Sequence, residues 1–247
     1  MTMDKQYKAV FFDLGGTLRI SLLKEPYMRH ARRKMAEIAA VDTPYEEFCR
    51  LIEERYKVYR KWAAEELKEA GDEELWCKWL LPDHDPAHIR KICHEMSYLF
   101  RQTMGYRVMV DGGEEVIRAL HARGYKLGII SNIIGENEVP DWLEEEELDQ
   151  CFGAVVLSSV CHQRKPGPEI YLTACRALGV APEDCVSVAD NVKRDIPGAK
   201  KAGIGCNIIF DSPEKRHPVI FDDATCPDIV ITEFRELLNL LPALTTE

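Results

Sequence analysis

Four short stretches carry the residue types from which chemistry is made. Asp13 is followed by Leu14-Gly15-Gly16-Thr17-Leu18, and Ser131-Asn132 closes a second apolar run. Arg164-Lys165-Pro166-Gly167-Pro168 supplies a lysine on a stiff turn, and Asp190 is followed five positions on by Asp195. Carboxylates, a hydroxyl beside an amide, and an ammonium suit Mg²⁺ together with a phosphate. The carboxylates are hard oxygen ligands for the cation, and the charged donors meet phosphoryl oxygens.

Those stretches work together only if the chain brings them to one place. Short apolar runs at Ala9–Phe12, Leu127–Ile130, Ala154–Leu157, Val186–Ala189, Asn207–Phe210 and Ile229–Ile231 read as buried strands. They alternate with helical stretches around Glu114–Arg123, Pro168–Leu178, Ile196–Ala202 and Glu233–Leu241. Strands apolar throughout and separated by helices predict an α/β fold, a doubly wound parallel sheet covered on both faces. Ligands of such sheets bind at the carboxyl ends of the strands, where all four stretches fall. Gly124, Gly179 and Gly203 sit just past helix ends, as left-handed C-caps.

From residue 19 to 106 the alternation stops, and no strand is expected there. Phe48, Leu51, Ile52, Tyr59, Trp62 and Ala63 recur at helical spacing, as do Ile89, Ile92, Cys93, Met96, Leu99 and Phe100. Thr43-Pro44 followed by Glu46 and Glu47 reads as a helix start with a hydroxyl cap, and Leu81-Pro82-Asp83 as a break between helices. The chain therefore divides into a core of residues 1–18 and 107–247 and an all-helical insert of residues 19–106.

The 247 residues carry 42 acidic and 32 basic side chains, a formal charge of −10. The insert holds 16 of each sign, so the whole excess lies on the core, and eight of its acids fall within residues 136–149. That segment is expected to be a solvated helix away from any bound anion. The acidic excess argues against nucleic acid as the main partner, and no apolar run is long enough to span a membrane. The N-terminal stretch lacks a signal peptide's cleavage pattern. Nine scattered cysteines without close pairs are expected to be reduced, buried thiols of a cytoplasmic protein. Nothing in the sequence specifies an oligomeric state.

The order of the four motifs resembles the haloacid dehalogenase superfamily: AVFFDLGGTL, IISN, RKPGPEIY and VSVADNVKRDIPGAKKAG. The likeness spans the chain, and the insert falls where that family places a helical cap, between the first and second motifs. By that resemblance Asp13 is the nucleophile, becoming an aspartyl phosphate, and Gly16, Ser131, Asn132 and Lys165 hold the phosphoryl group. Lys165 also neutralises charge during transfer. The resemblance further implies that Asp13, the backbone carbonyl of Gly15, Asp190 and Asp195 hold Mg²⁺. It implies a phosphatase-like hydrolase of a small phosphorylated metabolite.

One position departs from that pattern. Phosphatase members carry a second Asp two residues after the nucleophile, as general acid and base, and here that position is Gly15. Proton transfer of this kind contributes about 10²–10⁴-fold, so Gly15 predicts weak turnover of alkyl phosphates unless another group serves. A non-catalytic module binding a phosphorylated ligand or a protein is therefore the alternative. A dehalogenase or a phosphonate hydrolase is a lesser one, the latter needing a buried cap lysine among Lys24, Lys34, Lys57, Lys61, Lys68, Lys78 and Lys91.

Plainer readings stand beside these. Asp13 could cap a turn, Lys165 could be solvated, and Asp195 is also suited to cap the helix that follows. Asp83, His84, Asp85, His88 and His94 match no zinc spacing and read as linker and N-cap residues. The cluster of Arg29, His30, Arg32, Arg33 and Lys34 reads as a solvated face, or as an attraction for an anionic substrate. Arg19, where the chain enters the insert, is placed either to touch substrate or to serve the linker.

Overall fold

The computed structural model describes residues 5–40, 43–212 and 219–244. In chain order the elements are β1 (Ala9–Phe12), β2 (Arg19–Leu22), α1 (Glu25–Ala39), α2 (Tyr45–Glu66), α3 (Asp72–Glu74, continued as a π-helix over Leu75–Leu80) and α4 (Pro86–Thr103). They continue with β3 (Tyr106–Met109), α5 (Gly113–Ala122), β4 (Lys126–Ser131), α6 (Glu138–Glu145), β5 (Phe152–Leu157), α7 (Ser158–Cys161) and α8 (Glu169–Leu178). The last are β6 (Cys185–Ala189), α9 (Val192–Ala202), β7 (Cys206–Phe210), β8 (Ile229–Ile231) and α10 (Leu237–Leu240).

Six parallel strands form one sheet in the order β5-β4-β1-β6-β7-β8. All four residues of β1 are buried, and successive side chains point to opposite faces. Val10 and Phe12 join Val116, Ile117 and Leu120 of α5 and Val139 and Leu143 of α6 on one side. Ala9 and Phe11 join Ile170, Tyr171 and Ala174 of α8 and Ala199 and Ala202 of α9 on the other. A strand covered on both faces is apolar at every position, and burying one such Phe contributes about 1.5–3 kcal/mol. Gly179 and Gly203 take left-handed backbone at the ends of α8 and α9, and Gly124 does so after α5. None of the nine cysteines is disulfide-bonded; five are buried and four half-buried.

The segment between β1 and α5 builds its own hydrophobic cluster. Met35 of α1, Phe48, Ile52 and Tyr59 of α2, Trp76 and Leu80, and Ile89, Cys93, Met96 and Phe100 of α4 pack together, joined by Ile134 from the loop after β4. Two details differ from expectation. The segment is not wholly helical, because β2 and β3 pair antiparallel from Arg19↔Met109 to Leu22↔Tyr106. Their sequences, Arg-Ile-Ser-Leu and Tyr-Arg-Val-Met, mix polarity and are only partly buried, so neither forms an apolar run. Their pairing brings the chain at Leu22 back beside Tyr106. Helix α2 also begins one residue late, since Pro44 holds an extended ψ of 142° and is itself the N-cap, without a side-chain cap bond. Among the described residues no helix is long and apolar enough to cross a membrane.

Candidate active site

Strand β1 delivers Asp13 to the carboxyl edge of the sheet, where its N–H donates to the Val188 carbonyl at 2.8 Å and its side chain is buried. The chain then turns back on itself: Arg19 N–H donates to Leu14 O and Gly16 N–H donates to Arg19 O, both at 2.8 Å. The Gly16 N–H is thus engaged within the turn. Gly16 is needed for another reason. Its φ is +84°, and a Cβ there would lie 2.3 Å from an Asp190 carboxylate oxygen, so only glycine lets the turn approach that acid. Gly15 is different: a Cβ there meets nothing within 4 Å.

Lys165 reaches Asp13 from the turn after α7. Its Nζ lies 2.7 Å from Asp13 Oδ1, 2.5 Å from Asp195 Oδ1 and 3.0 Å from the Ile130 carbonyl, with only 1% of the side chain exposed. Asn132 at the end of β4 fixes it, because the amide donates to Lys165 O at 2.8 Å and accepts from Lys165 N–H at 2.9 Å. The amide oxygen and one amide hydrogen of Asn132 are thus engaged by the Lys165 backbone. Ser131 is buried at the same strand end. The turn packs on α9 through Gly198, where a Cβ would lie 2.7 Å from Pro166 O, while the Tyr171 hydroxyl donates to Asp195 O at 3.0 Å.

Asp13, Asp190 and Asp195 converge so that one oxygen from each lies within 4.8 Å of the others. Asn191, not Asp195, is the side chain that caps α9, accepting from Arg194 N–H. Asp195 is therefore free of capping and points into the cluster. Sequence reasoning missed one member, Arg194. Its Nη2 lies 2.6 Å from Asp13 Oδ2, 3.1 Å from Asp195 Oδ2 and 3.2 Å from Asp190 Oδ1. The available signal was position: residue 194 lies in the first turn of α9, between two acids that face the same edge. Burial would raise the Asp13 carboxyl, but the Lys165 ammonium and the Arg194 guanidinium outweigh it and hold it below the usual carboxylate range. Burial works against the Arg194 charge, yet Asp13, Asp195 and Asp190 together hold that guanidinium above its ordinary range. Three carboxylates at this spacing are an oxygen-only donor set, which fits a hard divalent cation.

The inserted segment covers this edge through residues 67–72. Buried Glu69 accepts from Tyr59 OH, from Ser158 Oγ at 2.8 Å and from Arg164 Nη1, the residue preceding Lys165. Arg164 N–H also donates to Leu67 O at 3.1 Å. Arg19 does not turn toward Asp13; it is buried against Glu138 Oε1 at 3.1 Å and over the Trp142 ring. Glu138 in turn binds Arg101 at 2.8 Å and lies 3.7 Å from Arg107. The acidic stretch 136–149 is thus not wholly solvated, because three arginines hold one of its members inside.

The remaining sequence candidates are resolved locally. Asp85 caps α4 by accepting from Ala87 N–H at 3.0 Å, Asp83 pairs with Arg55, and His88 contacts the Ile38 carbonyl at 3.2 Å. His94 leaves that group and meets Asp72 at 2.8 Å, with Glu136 nearby. In the basic stretch of α1, Arg29 and Arg32 pair with Glu25 and Lys34 with Glu95, a solvated face. All seven lysines of the insert's helical region are exposed, so none offers the desolvated amine of a Schiff base.

The chain is 29% identical over 243 residues to a glyceraldehyde 3-phosphate phosphatase of Pyrococcus furiosus, spanning 96% of this chain and 94% of that one. It is equally 29% identical over 248 residues to a protein of the same name from Methanopyrus kandleri, at 97% and 99% coverage. Among solved structures, a 2-haloacid dehalogenase from Pseudomonas syringae pv. Tomato DC3000 superposes with a TM-score of 0.69 at 20% identity, covering 95% of this chain and 97% of that chain, a likeness of fold. The haloacid dehalogenase-like hydrolase profile matches residues 7–203, from before β1 to the end of α9 and so across every residue of the site, and by that match the chain belongs to the haloacid dehalogenase-like hydrolases.

Proposed function

We propose that this hydrolase is a Mg²⁺-dependent phosphatase of a small phosphorylated metabolite, working through a phosphoryl group carried on Asp13. The observation that carries the reading is the buried Asp13 carboxylate, held between Lys165 and Arg194 at the sheet edge with Asp190 and Asp195 beside it. Relatives named as phosphatases of a three-carbon sugar phosphate, matched over nearly their whole length, support the substrate class. Residues 19–106 act as a cap on a core of residues 1–18 and 107–247, and the nine unbridged thiols suit a reducing cytoplasm.

In this reading an Asp13 oxygen attacks phosphorus, forming an acyl–phosphate bond as the bond to the leaving oxygen breaks. Water then cleaves the acyl phosphate, releasing inorganic phosphate and restoring the carboxylate. Lys165, pinned by Asn132 and the Ile130 carbonyl, keeps a positive charge against Asp13 and the transferring group. Ser131, at the same edge, offers a hydroxyl to a phosphoryl oxygen. Asp13, Asp190, Asp195 and the Gly15 carbonyl would hold Mg²⁺, which supplies further neutralisation of the anionic partners. The cap, tied down through Glu69, Ser158 and Arg164, excludes water from the edge.

No carboxyl stands at position 15, so the leaving group is one that needs little protonation or brings its own proton. The same feature favours a second reading, a module that binds a phosphorylated ligand without turnover. Hydrolysis of an activated aryl phosphate with and without Mg²⁺, by wild type and Asp13→Asn, separates them. The proposal expects Mg²⁺-dependent turnover that Asp13→Asn abolishes. Equal turnover by both proteins overturns it, and silence in wild type supports the binding module.

A further inference from the structure

Two cationic side chains meet the three carboxylates, and they are held very differently. The Lys165 side chain is 1% exposed, and its Nζ is fixed by Asp13, Asp195 and the Ile130 carbonyl. The Arg194 side chain is 32% exposed and reaches Asp13, Asp190 and Asp195 through a single nitrogen, Nη2. Its buried Nε has no hydrogen-bond partner among the described residues. Lys165 is built in, whereas Arg194 has an open flank and a donor left unsatisfied in the inward position.

We infer that Arg194 is an internal counter-ion that occupies the place of the divalent cation, so that cation binding requires its guanidinium to swing outward. The inference rests on the reading of these carboxylates as a cation site given above. A Mg²⁺ ion needs oxygens at about 2.0–2.1 Å in near-octahedral array, and Nη2 already lies at hydrogen-bond distance from all three acids. Two cations sharing the same oxygens repel each other strongly in a buried site. Without Arg194, three clustered carboxylates would face Lys165 alone, a costly charge excess. The guanidinium therefore keeps the cation-free enzyme folded, and the cation has to displace it.

Isothermal titration of Mg²⁺ into the full-length wild type and Arg194→Gln, with thermal melting in chelator and in Mg²⁺, tests this. Removing the competitor is expected to tighten Mg²⁺ binding about ten- to a hundredfold, the worth of about one charge-assisted hydrogen bond. Arg194→Gln is also expected to melt lower than wild type in chelator and to recover with Mg²⁺. Arg194→Lys, which keeps the charge on a single ammonium, is expected to fold readily and to bind with intermediate affinity, so it carries the test if Arg194→Gln does not fold. Measurable but equal or weaker Mg²⁺ binding by the variants overturns the counter-ion role and leaves the cation site standing. Absence of Mg²⁺ binding from all three proteins overturns the cation reading, and the counter-ion role falls with it.

Discussion

Asn132 brackets the backbone of Lys165, with its amide donating to the lysine carbonyl at 2.8 Å and accepting from the lysine N–H at 2.9 Å. A residue at the end of β4 thus sets where the Lys165 ammonium stands relative to Asp13 at the end of β1. Asn132→Ala is expected to lower kcat about 10–100-fold with KM changed far less, because a misplaced charge acts on the transition state more than on ground-state binding. Steady-state kinetics on an aryl phosphate read the split. A rise in KM at constant kcat would instead mean that Asn132 touches substrate.

Gly15 leaves open space two residues after Asp13, where the resemblance drawn from the motifs implies an acid–base carboxylate. The Cβ of Gly15→Asp meets nothing within 4 Å. The substitution is expected to raise turnover of an alkyl phosphate by about 10²-fold or more, and that of an aryl phosphate with a good leaving group much less. The ratio of the two rates in wild type and variant is the measurement.

Glu138 links the entry strand, the exit strand and α4 through Arg19, Arg107 and Arg101. Burial would raise its carboxyl, but Arg101, Arg107 and Arg19 hold it below the ordinary value of 4.5. A depressed carboxylate contributes stability that is full above the unfolded value and lost as pH falls through the lower folded one. Glu138→Gln is therefore expected to cost about 3–5 kcal/mol near neutrality, since three buried guanidinium groups lose their anion. The difference from wild type should shrink as pH drops below 4.5, as denaturant melts across pH would record.

Glu69 and Arg164 tie the segment 67–72 to the turn that carries Lys165. Glu69→Ala removes the acceptor of Tyr59, Ser158 and Arg164 together and is expected to cost about 3–5 kcal/mol. Glu74→Ala, which breaks the exposed pair with Lys78, is expected to cost about 0–1 kcal/mol. Limited proteolysis should also find the Glu69→Ala chain cut earlier near residues 67–72.

The sheet and the chemistry of its edge were readable for a plain reason. Strands such as Ala9–Phe12 are buried on both faces, so their apolar runs stand out, and a parallel sheet puts its strand ends on one edge. Strands β2 and β3 were not readable, since partly exposed four-residue strands carry no apolar run and pair with a partner more than 80 residues away. Asp13, Lys165, Asp190 and Asp195 meet as their positions implied. Gly16 and Asn132 lie at that edge, and their bonds to Arg19 and Lys165 were not readable, because a string of residues does not show which N–H or amide is bonded to what. Arg194 and Glu138 were invisible for a related reason. Charged residues on a helix read as solvated until the packing shows which of them are buried against each other.

The central claim is that Asp13 carries the phosphoryl group. Wild type mixed with an activated aryl phosphate and Mg²⁺, quenched in acid within the first turnovers and analysed by peptide mass spectrometry, tests it directly. The account predicts one added phosphoryl group on the peptide containing Asp13, chased away by further incubation and absent from Asp13→Asn. Product release at full rate with that peptide never modified, or with Asp13→Asn equally active, would contradict it.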